Sequence, residues 1–274
     1  MSPTPKGKAI LYDAEKCIGC RACEVACHEW NKLPADDTEF SPDYSNPRYV
    51  TPRSWTTITY HELGGGNGKP PLWVYVKIQC FHCLTPTCAT VCPTKAIHID
   101  AATGAVVWDP AKCIGCKYCI EACPFDIPRL DPATNRIVKC TMCVDRVQHG
   151  IPPACVQACP TGALYFDDYE KVKMKAEQLA SKGRYVYGLK EVGGTRFMIA
   201  LPKGVKPEDV GLPTPKTKKP AYALASVTSE DYWSHVGVLM GEWAGVGVVG
   251  SLILAGLWWR EKRIKEKTSG GERK

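Results

Sequence analysis

Sixteen cysteines are the residues of this chain whose type and spacing could do chemistry, and all lie in four tight groups within residues 17–159. The groups are Cys17-x2-Cys20-x2-Cys23-x3-Cys27, Cys80-x2-Cys83-x4-Cys88-x3-Cys92-Pro93, Cys113-x2-Cys116-x2-Cys119-x3-Cys123-Pro124 and Cys140-x2-Cys143-x11-Cys155-x3-Cys159-Pro160. Thiolate is a soft ligand suited to iron–sulfide. In such runs the first three cysteines wrap one cube of iron and sulfide, and the fourth ligates the other cube of a pair. Two other chemistries use clustered cysteines. Paired Cys-x2-Cys knuckles bind zinc, but zinc needs four ligands and no Cys-x2-Cys-x2-Cys-x3-Cys-Pro run. A disulfide scaffold is usually shorter and spreads its cysteines over loops. The repeated groups therefore predict four [4Fe-4S] clusters.

Exchange of fourth cysteines fixes the expected ligand sets. The outer groups pair, giving Cys17, Cys20, Cys23 and Cys159 for the first cluster and Cys27, Cys140, Cys143 and Cys155 for the second. The inner groups pair, giving Cys80, Cys83, Cys88 and Cys123 for the third and Cys92, Cys113, Cys116 and Cys119 for the fourth. Lys16, Arg21, Lys112 and Lys117 lie inside the runs, where a positive charge raises a cluster's potential or simply meets solvent. His28 and His82 adjoin cysteines; with every ligand place already filled by a thiolate, they read as packing or outer-shell groups. No dinucleotide fingerprint, nucleophile with base, or phosphate loop accompanies the cysteines, so a free-standing enzyme is disfavoured.

The elements that position these groups are duplicated. Lys16-Cys17-Ile18-Gly19-Cys20 returns as Lys112-Cys113-Ile114-Gly115-Cys116, and Cys92-Pro93-Thr94-Lys95-Ala96 as Cys159-Pro160-Thr161-Gly162-Ala163. The pattern predicts an α+β, loop-rich chain of two nested ferredoxin-like modules. The outer module takes 1–79 and 137–200, and the inner takes 80–136. Residues 28–72 read as a loop insertion with little core, broken by Pro34, Pro42, Pro47 and Pro52. Leu72–Ile78 reads as a strand, Ile97–Ile99 and Ala105–Trp108 as a hairpin, and Tyr169–Lys182 as a helix ended by Gly183. Residues 201–234, rich in proline and lysine from Lys203 to Pro220, read as an extended linker.

The C-terminal part predicts a transmembrane helix at 235–260 and a basic cytoplasmic tail at 261–274. Val236–Trp259 holds 24 residues with Glu242 as its one charge; as a helix it reaches about 36 Å, enough for a hydrocarbon core of about 30 Å. Trp233 and Trp243 bracket one end and Trp258 and Trp259 the other. Gly237, Gly241 and Gly245 would let another helix approach, and His235 stands at the mouth, within reach of a partner's haem or quinone. The formal charge of +7 includes a net +4 in the 15 residues after Trp259. Four clusters, each net −2 with its thiolates, would bring the loaded chain near neutral, which argues against nucleic acid as a partner. Seven Lys/Arg follow the helix and three precede it in 216–234, so the positive-inside rule puts the tail in the cytoplasm and the clusters on the periplasmic side. Met1–Lys16 has no apolar core and no twin arginine, so export of the loaded protein with a signal-bearing partner is expected.

Taken with the spanning helix, the segments Cys17-Ile18-Gly19-Cys20, Cys123-Pro124-Phe125-Asp126-Ile127-Pro128-Arg129-Leu130, Asn135–Val147, Cys159-Pro160-Thr161-Gly162-Ala163 and Val192-Gly193-Gly194-Thr195 resemble the four-cluster iron–sulfur subunits of molybdopterin and hydrogenase complexes. The resemblance is greatest to the beta subunits of respiratory, membrane-bound formate dehydrogenases. It implies a molybdenum or tungsten molybdopterin alpha subunit as electron donor, and a membrane cytochrome b gamma subunit, contacted by the C-terminal helix within the lipid, as acceptor on the way to quinone. Nitrate reductase beta subunits carry tryptophan where Cys116 stands here, which argues against that relative. The anchored iron–sulfur subunit of membrane-bound hydrogenases is the closer rival, and usually has an export signal of its own.

Overall fold

β1 (Lys8–Asp13) is apolar on both faces, and the fold covers both. Ala9 and Leu11 pack with Val172 and Ala176, whereas Ile10 and Tyr12 join the larger core that also holds Cys23, Cys80, Cys123, Cys140 and Cys155. The computed structural model describes residues 6–37, 40–41, 44–65 and 70–213. The predicted spanning helix 235–260, the tail 261–274 and linker residues 214–234 lie outside them. Among the described residues no helix is long and apolar enough to cross a membrane.

After β1 come α1 (Ala22–Asn31), β2 (Thr57–Leu63), β3 (Leu72–Ile78), α2 (Thr87–Thr90), β4 (Ile97–Ile99), β5 (Val106–Trp108) and α3 (Tyr118–Glu121). Then follow β6 (Arg129–Asp131), β7 (Arg136–Val138), α4 (Val144–Gln148), α5 (Ala154–Gln157), β8 (Leu164–Asp168), α6 (Tyr169–Ser181), β9 (Val186–Tyr187) and β10 (Phe197–Ala200). Four strands form one sheet in the order β8-β1-β10-β9. β1 runs parallel to β10, with Ile10 opposite Phe197, and antiparallel to β8, with Tyr12 opposite Leu164. Chain segments almost 190 residues apart are thereby hydrogen-bonded neighbours, and everything between them is held inside that closure. Alternation along β10 repeats the two-sided packing: Met198 and Ala200 face α6, while Phe197 and Ile199 face the cysteine-bearing core. Each such buried aliphatic or aromatic side chain contributes ~1.5–3 kcal/mol relative to exposure.

Three two-stranded hairpins complete the strands: β2–β3, β4–β5 and β6–β7. An aromatic knot joins the inner segment to the sheet. Phe81 stacks on Phe125 at 4.1 Å and meets Tyr187 and Phe197 edge-on. The backbone follows, with Phe197 N donating to Phe81 O at 3.0 Å and Leu84 N to Gly194 O at 3.1 Å. Gly194 has φ 101° and stands against Leu84, where a side chain would be both strained and crowded.

The backbone shows the duplication as clearly as the sequence does. Gly19 and Gly115 share φ of 68° and 70°, Arg21 and Lys117 share 58° and 66°, and His82 and Met142 share 47° and 59°. Three residues after a Cys-Pro cysteine, Lys95, Asp126 and Gly162 take φ of 53°, 51° and 63°. Cys27 has no following proline, and there α1 continues to Asn31.

Two expectations are corrected. Residues 28–72 are not a loop insertion with little core. Behind the prolines, Thr57–Leu63 is a β-branched and aromatic run that pairs with all of β3, from Thr57–Ile78 to Leu63–Leu72. Ile58 and Val50 are buried, Tyr49 Oη donates to Phe125 O at 2.7 Å, and Arg129 Nε donates to Val50 O at 3.0 Å. The polar and proline-rich flanks hide that pairing from any local reading. The segment from 201 to 213 is likewise no linker. Leu201, Val205, Pro207, Val210 and Leu212 are buried, with a 3-10 turn at Pro207–Val210. These few apolar side chains close the end of the core, and burial outweighs the linker-like composition around them.

Candidate cluster-binding sites

Tyr12 on β1 collects the first set of thiols. Burial raises its hydroxyl well above the ordinary value, and the thiols of Cys17, Cys23 and Cys159 add to the rise; Cys20 lies on the exposed side of the same loop. The second set walls a small cavity, where Cys27 from α1 meets Cys140, Cys143 and Cys155. The third set, Cys80, Cys83, Cys88 and Cys123, walls another. In the fourth set, burial pushes the Cys119 thiol up to about 12, and Cys116, Cys113 and Cys92 contribute to the rise. The structure thus brings together Cys17, Cys23 and Cys159, and all four members of each other set.

The sets are also neighbours in single file. The Cys23 thiol interacts with that of Cys155, Cys140 with Cys80, and Cys88 with Cys119. These through-space interactions relate the first set to the second, the second to the third and the third to the fourth. At the two ends, Cys20 and Cys116 are exposed, each beside an exposed isoleucine, Ile18 or Ile114.

The donor set fits iron–sulfur clusters. All sixteen cysteines are free. Among the described residues, no group of three or more His, Cys, Asp or Glu could hold one metal ion. Thiolates on a zinc ion would converge at Zn–S distances of about 2.3 Å; here two of the sets each line a cavity between their sulfurs. One cavity also receives the buried carboxamide of Gln79, whose Nε2 and Oε1 have no partner among the described residues, so a polar group belongs in that space.

Local backbone geometry serves the sulfurs. The left-handed residues turn N–H groups back toward cysteine: Gly19 N to Cys17 Sγ and Met142 N to Cys140 Sγ, both at 3.4 Å. Ile127 N reaches Cys123 Sγ and Ile137 N reaches Cys113 Sγ, also at 3.4 Å. Thr94 and Thr161 hydroxyls lie 3.7 Å from Cys92 and Cys159 Sγ. Burial pushes the Cys92 thiol up, but the Ile97 N–H, the Thr94 hydroxyl and neighbouring N–H groups together bring it below its ordinary value. Burial alone dominates deeper in: Cys23 and Cys143 rise to about 11 and Cys27 to about 12, so these thiols lose protons only on taking up metal.

The charged residues inside the cysteine runs mostly face elsewhere. Arg21 holds the insertion, donating to Tyr44 O at 2.9 Å and to Asn46 O and Tyr60 Oη. Lys16, Lys112 and Lys117 are exposed, and Lys112 pairs with Asp109 at 3.2 Å. His28 shares a hydrogen bond with Ser54 Oγ at 3.1 Å. His82 is fully buried and accepts from Val106 N at Nδ1; burial, then Lys139 and Arg196, hold it neutral. His235 lies outside the described residues.

Sequence reasoning missed two buried lysines, Lys77 and Lys139, which are 0% and 2% exposed. The available signal was their placement: Lys77 between Val76 and Ile78 in a strand, and Lys139 between Val138 and Cys140.

Comparison with known proteins agrees with this chemistry. The chain matches the 4Fe-4S dicluster domain family twice, over residues 16–96 and over residues 71–169. It is 41% identical to the formate dehydrogenase iron-sulfur subunit of Haemophilus influenzae, over 76% of this chain and 70% of the relative. It is 42% identical to the iron-sulfur subunit of the nitrate-inducible formate dehydrogenase of Escherichia coli, over 73% of this chain and 70% of the relative. A hydrogenase-2 operon protein of Escherichia coli O157:H7 is 32% identical, over 77% of this chain and 74% of the relative. With its four cysteine groups and these relatives, the chain belongs to the family of formate dehydrogenase iron–sulfur subunits.

Proposed function

We propose that this chain conducts electrons through four [4Fe-4S] clusters, from a molybdopterin catalytic subunit that oxidises formate to a membrane cytochrome b subunit that reduces quinone. The ligand sets are those of the sequence reading: Cys17, Cys20, Cys23 and Cys159; Cys27, Cys140, Cys143 and Cys155; Cys80, Cys83, Cys88 and Cys123; and Cys92, Cys113, Cys116 and Cys119. The observation that carries the reading is the pair of four-cysteine cavities, one walled by Cys27, Cys140, Cys143 and Cys155 and the other by Cys80, Cys83, Cys88 and Cys123, linked by Gln79 and Lys139, each of which precedes a cysteine of one set and lines the cavity of the other.

The clusters supply one-electron chemistry when bound. The chain's own residues do the rest. Thiolates hold the iron, N–H groups such as Gly19 N and Met142 N soften the negative charge on sulfur, and buried aromatics such as Phe81 and Phe125 keep water from the middle of the file. Cys20 and Cys116, on the exposed rims, mark where electrons pass to and from partners. In this reading the C-terminal helix spans the cytoplasmic membrane, meets the cytochrome subunit, and keeps the cluster-bearing part on the periplasmic side.

Elemental analysis of the anaerobically isolated complex tests it. About sixteen iron atoms per chain are expected; far fewer, without loss on handling, would overturn the conduit. The 32% identity to a hydrogenase-2 operon protein favours a second reading, with hydrogen as the source of electrons. The co-purifying large subunit decides between them: a molybdopterin protein supports formate, and a nickel protein overturns it. Proteolysis of right-side-out spheroplasts tests the topology, which fails if the cluster-bearing part survives intact.

A further inference from the structure

Two ammonium groups are sealed inside this molecule, and neither has a carboxylate within salt-bridge reach among the described residues. Burying an unpaired charge costs several kcal/mol, so it must be met by other charge or by dipoles. Lys77 Nζ donates to Thr56 Oγ1. Glu24 senses the same ammonium, but its carboxylate is engaged by Ile58 N and stands 4.0 Å from Arg21 Nε. Lys139 Nζ donates to Val106 O and, at 3.1 Å, to Cys140 O. Its side chain lines the cavity of Cys80, Cys83, Cys88 and Cys123.

The chain exchanges these lysines between neighbours. Lys77 sits on β3, which leads into Cys80 and so into the third set, but its ammonium is bonded to Thr56, which lines the cavity of the second set. Lys139 leads directly into Cys140 and so into the second set, but it faces the third. We propose that Lys77 and Lys139 are fixed internal counter-ions, traded crosswise between adjacent clusters, that stabilise the reduced state and raise the potentials of the clusters they face. The proposal rests on the four ligand sets above. It deepens that reading by assigning residues that are not ligands, and it involves no titration. A cluster becomes more negative on reduction, so a buried cation beside it favours the reduced form.

The test is a redox titration, followed by electron paramagnetic resonance, of the iron-loaded full chain in its complex. Lys77→Met is expected to move one midpoint potential negative, and Lys139→Met to move a different one. Lys77→Arg is expected to return the first toward wild type. Should Lys77→Met lose iron, retention of iron by Lys77→Arg with near-wild-type potentials supports the charge role equally. The proposal is overturned if the methionine variants load fully and no potential moves, or if both move the same signals. Iron loss as complete in the arginine variant as in the methionine variant also overturns it. The iron count of the wild-type chain tests the four-cluster reading separately, so the two can fail independently.

Discussion

Gln79 and Lys139 hold the same place in the two halves of the chain, and each lines the cavity of the other's cysteines. Gln79 precedes Cys80 and lines the space of Cys27, Cys140, Cys143 and Cys155; Lys139 precedes Cys140 and lines the space of Cys80, Cys83, Cys88 and Cys123. Each lead-in segment therefore places its last side chain at the neighbouring site before delivering its own ligands. One position carries a neutral amide and the other a charge, so the duplicated frame gives its two central sites unlike surroundings.

Gln79 is expected to donate its unpaired N–H to sulfur in the second site. A hydrogen bond contributes ~0.5–1.5 kcal/mol, which for a one-electron couple is roughly 20–60 mV. Gln79→Leu should lower one midpoint potential by about that amount. Gln79→Glu, which buries a carboxylate beside a negative cluster, should cost about one cluster's worth of iron, four atoms in roughly sixteen. Redox titration and iron analysis read the two outcomes.

The paired threonines offer a smaller and separable effect. Thr161→Val removes the hydroxyl 3.7 Å from Cys159 Sγ, and Thr94→Val the one 3.7 Å from Cys92 Sγ. Each should lower a different potential, by no more than about 60 mV. Identical shifts in the same signal would show that Cys92 and Cys159 do not serve separate clusters.

Gly115 tests why the Cys-Ile-Gly-Cys run needs glycine. Its φ is 70°, and a Cβ there would stand 2.3 Å from Asn135 O, a backbone atom that cannot swing away. Gly115→Ala should cost at least about 1–2 kcal/mol for the left-handed conformation alone, and more for the clash. Lowered melting temperature with loss of the Cys113 set's iron is the expected result; an unchanged melt and full iron would refute it.

Asp100 should govern part of the acid sensitivity. Burial is the largest single effect and raises its pKa, but hydrogen bonds from the Thr103 side chain and N–H and from Gln148 together bring it below the usual carboxylate value. A carboxyl with a depressed pKa in the folded state adds stability above its unfolded pKa of about 3.9. That stability is lost as pH falls through the lower folded value. Asp100→Ala should therefore lower stability by no more than about 1 kcal/mol near neutral pH, because solvent screens so accessible a carboxylate, with the difference from wild type shrinking below pH 4. Denaturant melts across that range measure it; a gap that widened in acid would contradict the assignment.

Much of this protein is legible in its residues alone. Ligand chemistry is local: a thiolate two or three residues from the next can wrap only certain groups, so cysteine spacing identifies the cluster type, while the family resemblance rests on longer segments such as Asn135–Val147 and Val192–Thr195. The helix ended by Gly183 and the strand Leu72–Ile78 carry short-range signals, and the structure has both. Long-range burial is a different kind of quantity. Whether Lys77 meets water or thiolate, whether Thr57–Leu63 finds a partner strand, and whether Leu201–Leu212 caps a core depend on surfaces contributed by distant segments. No local pattern encodes those surfaces, because a charge or an apolar side chain is costly or favourable only according to what surrounds it. Tertiary structure alone put two cations inside and set the cysteine groups side by side in single file.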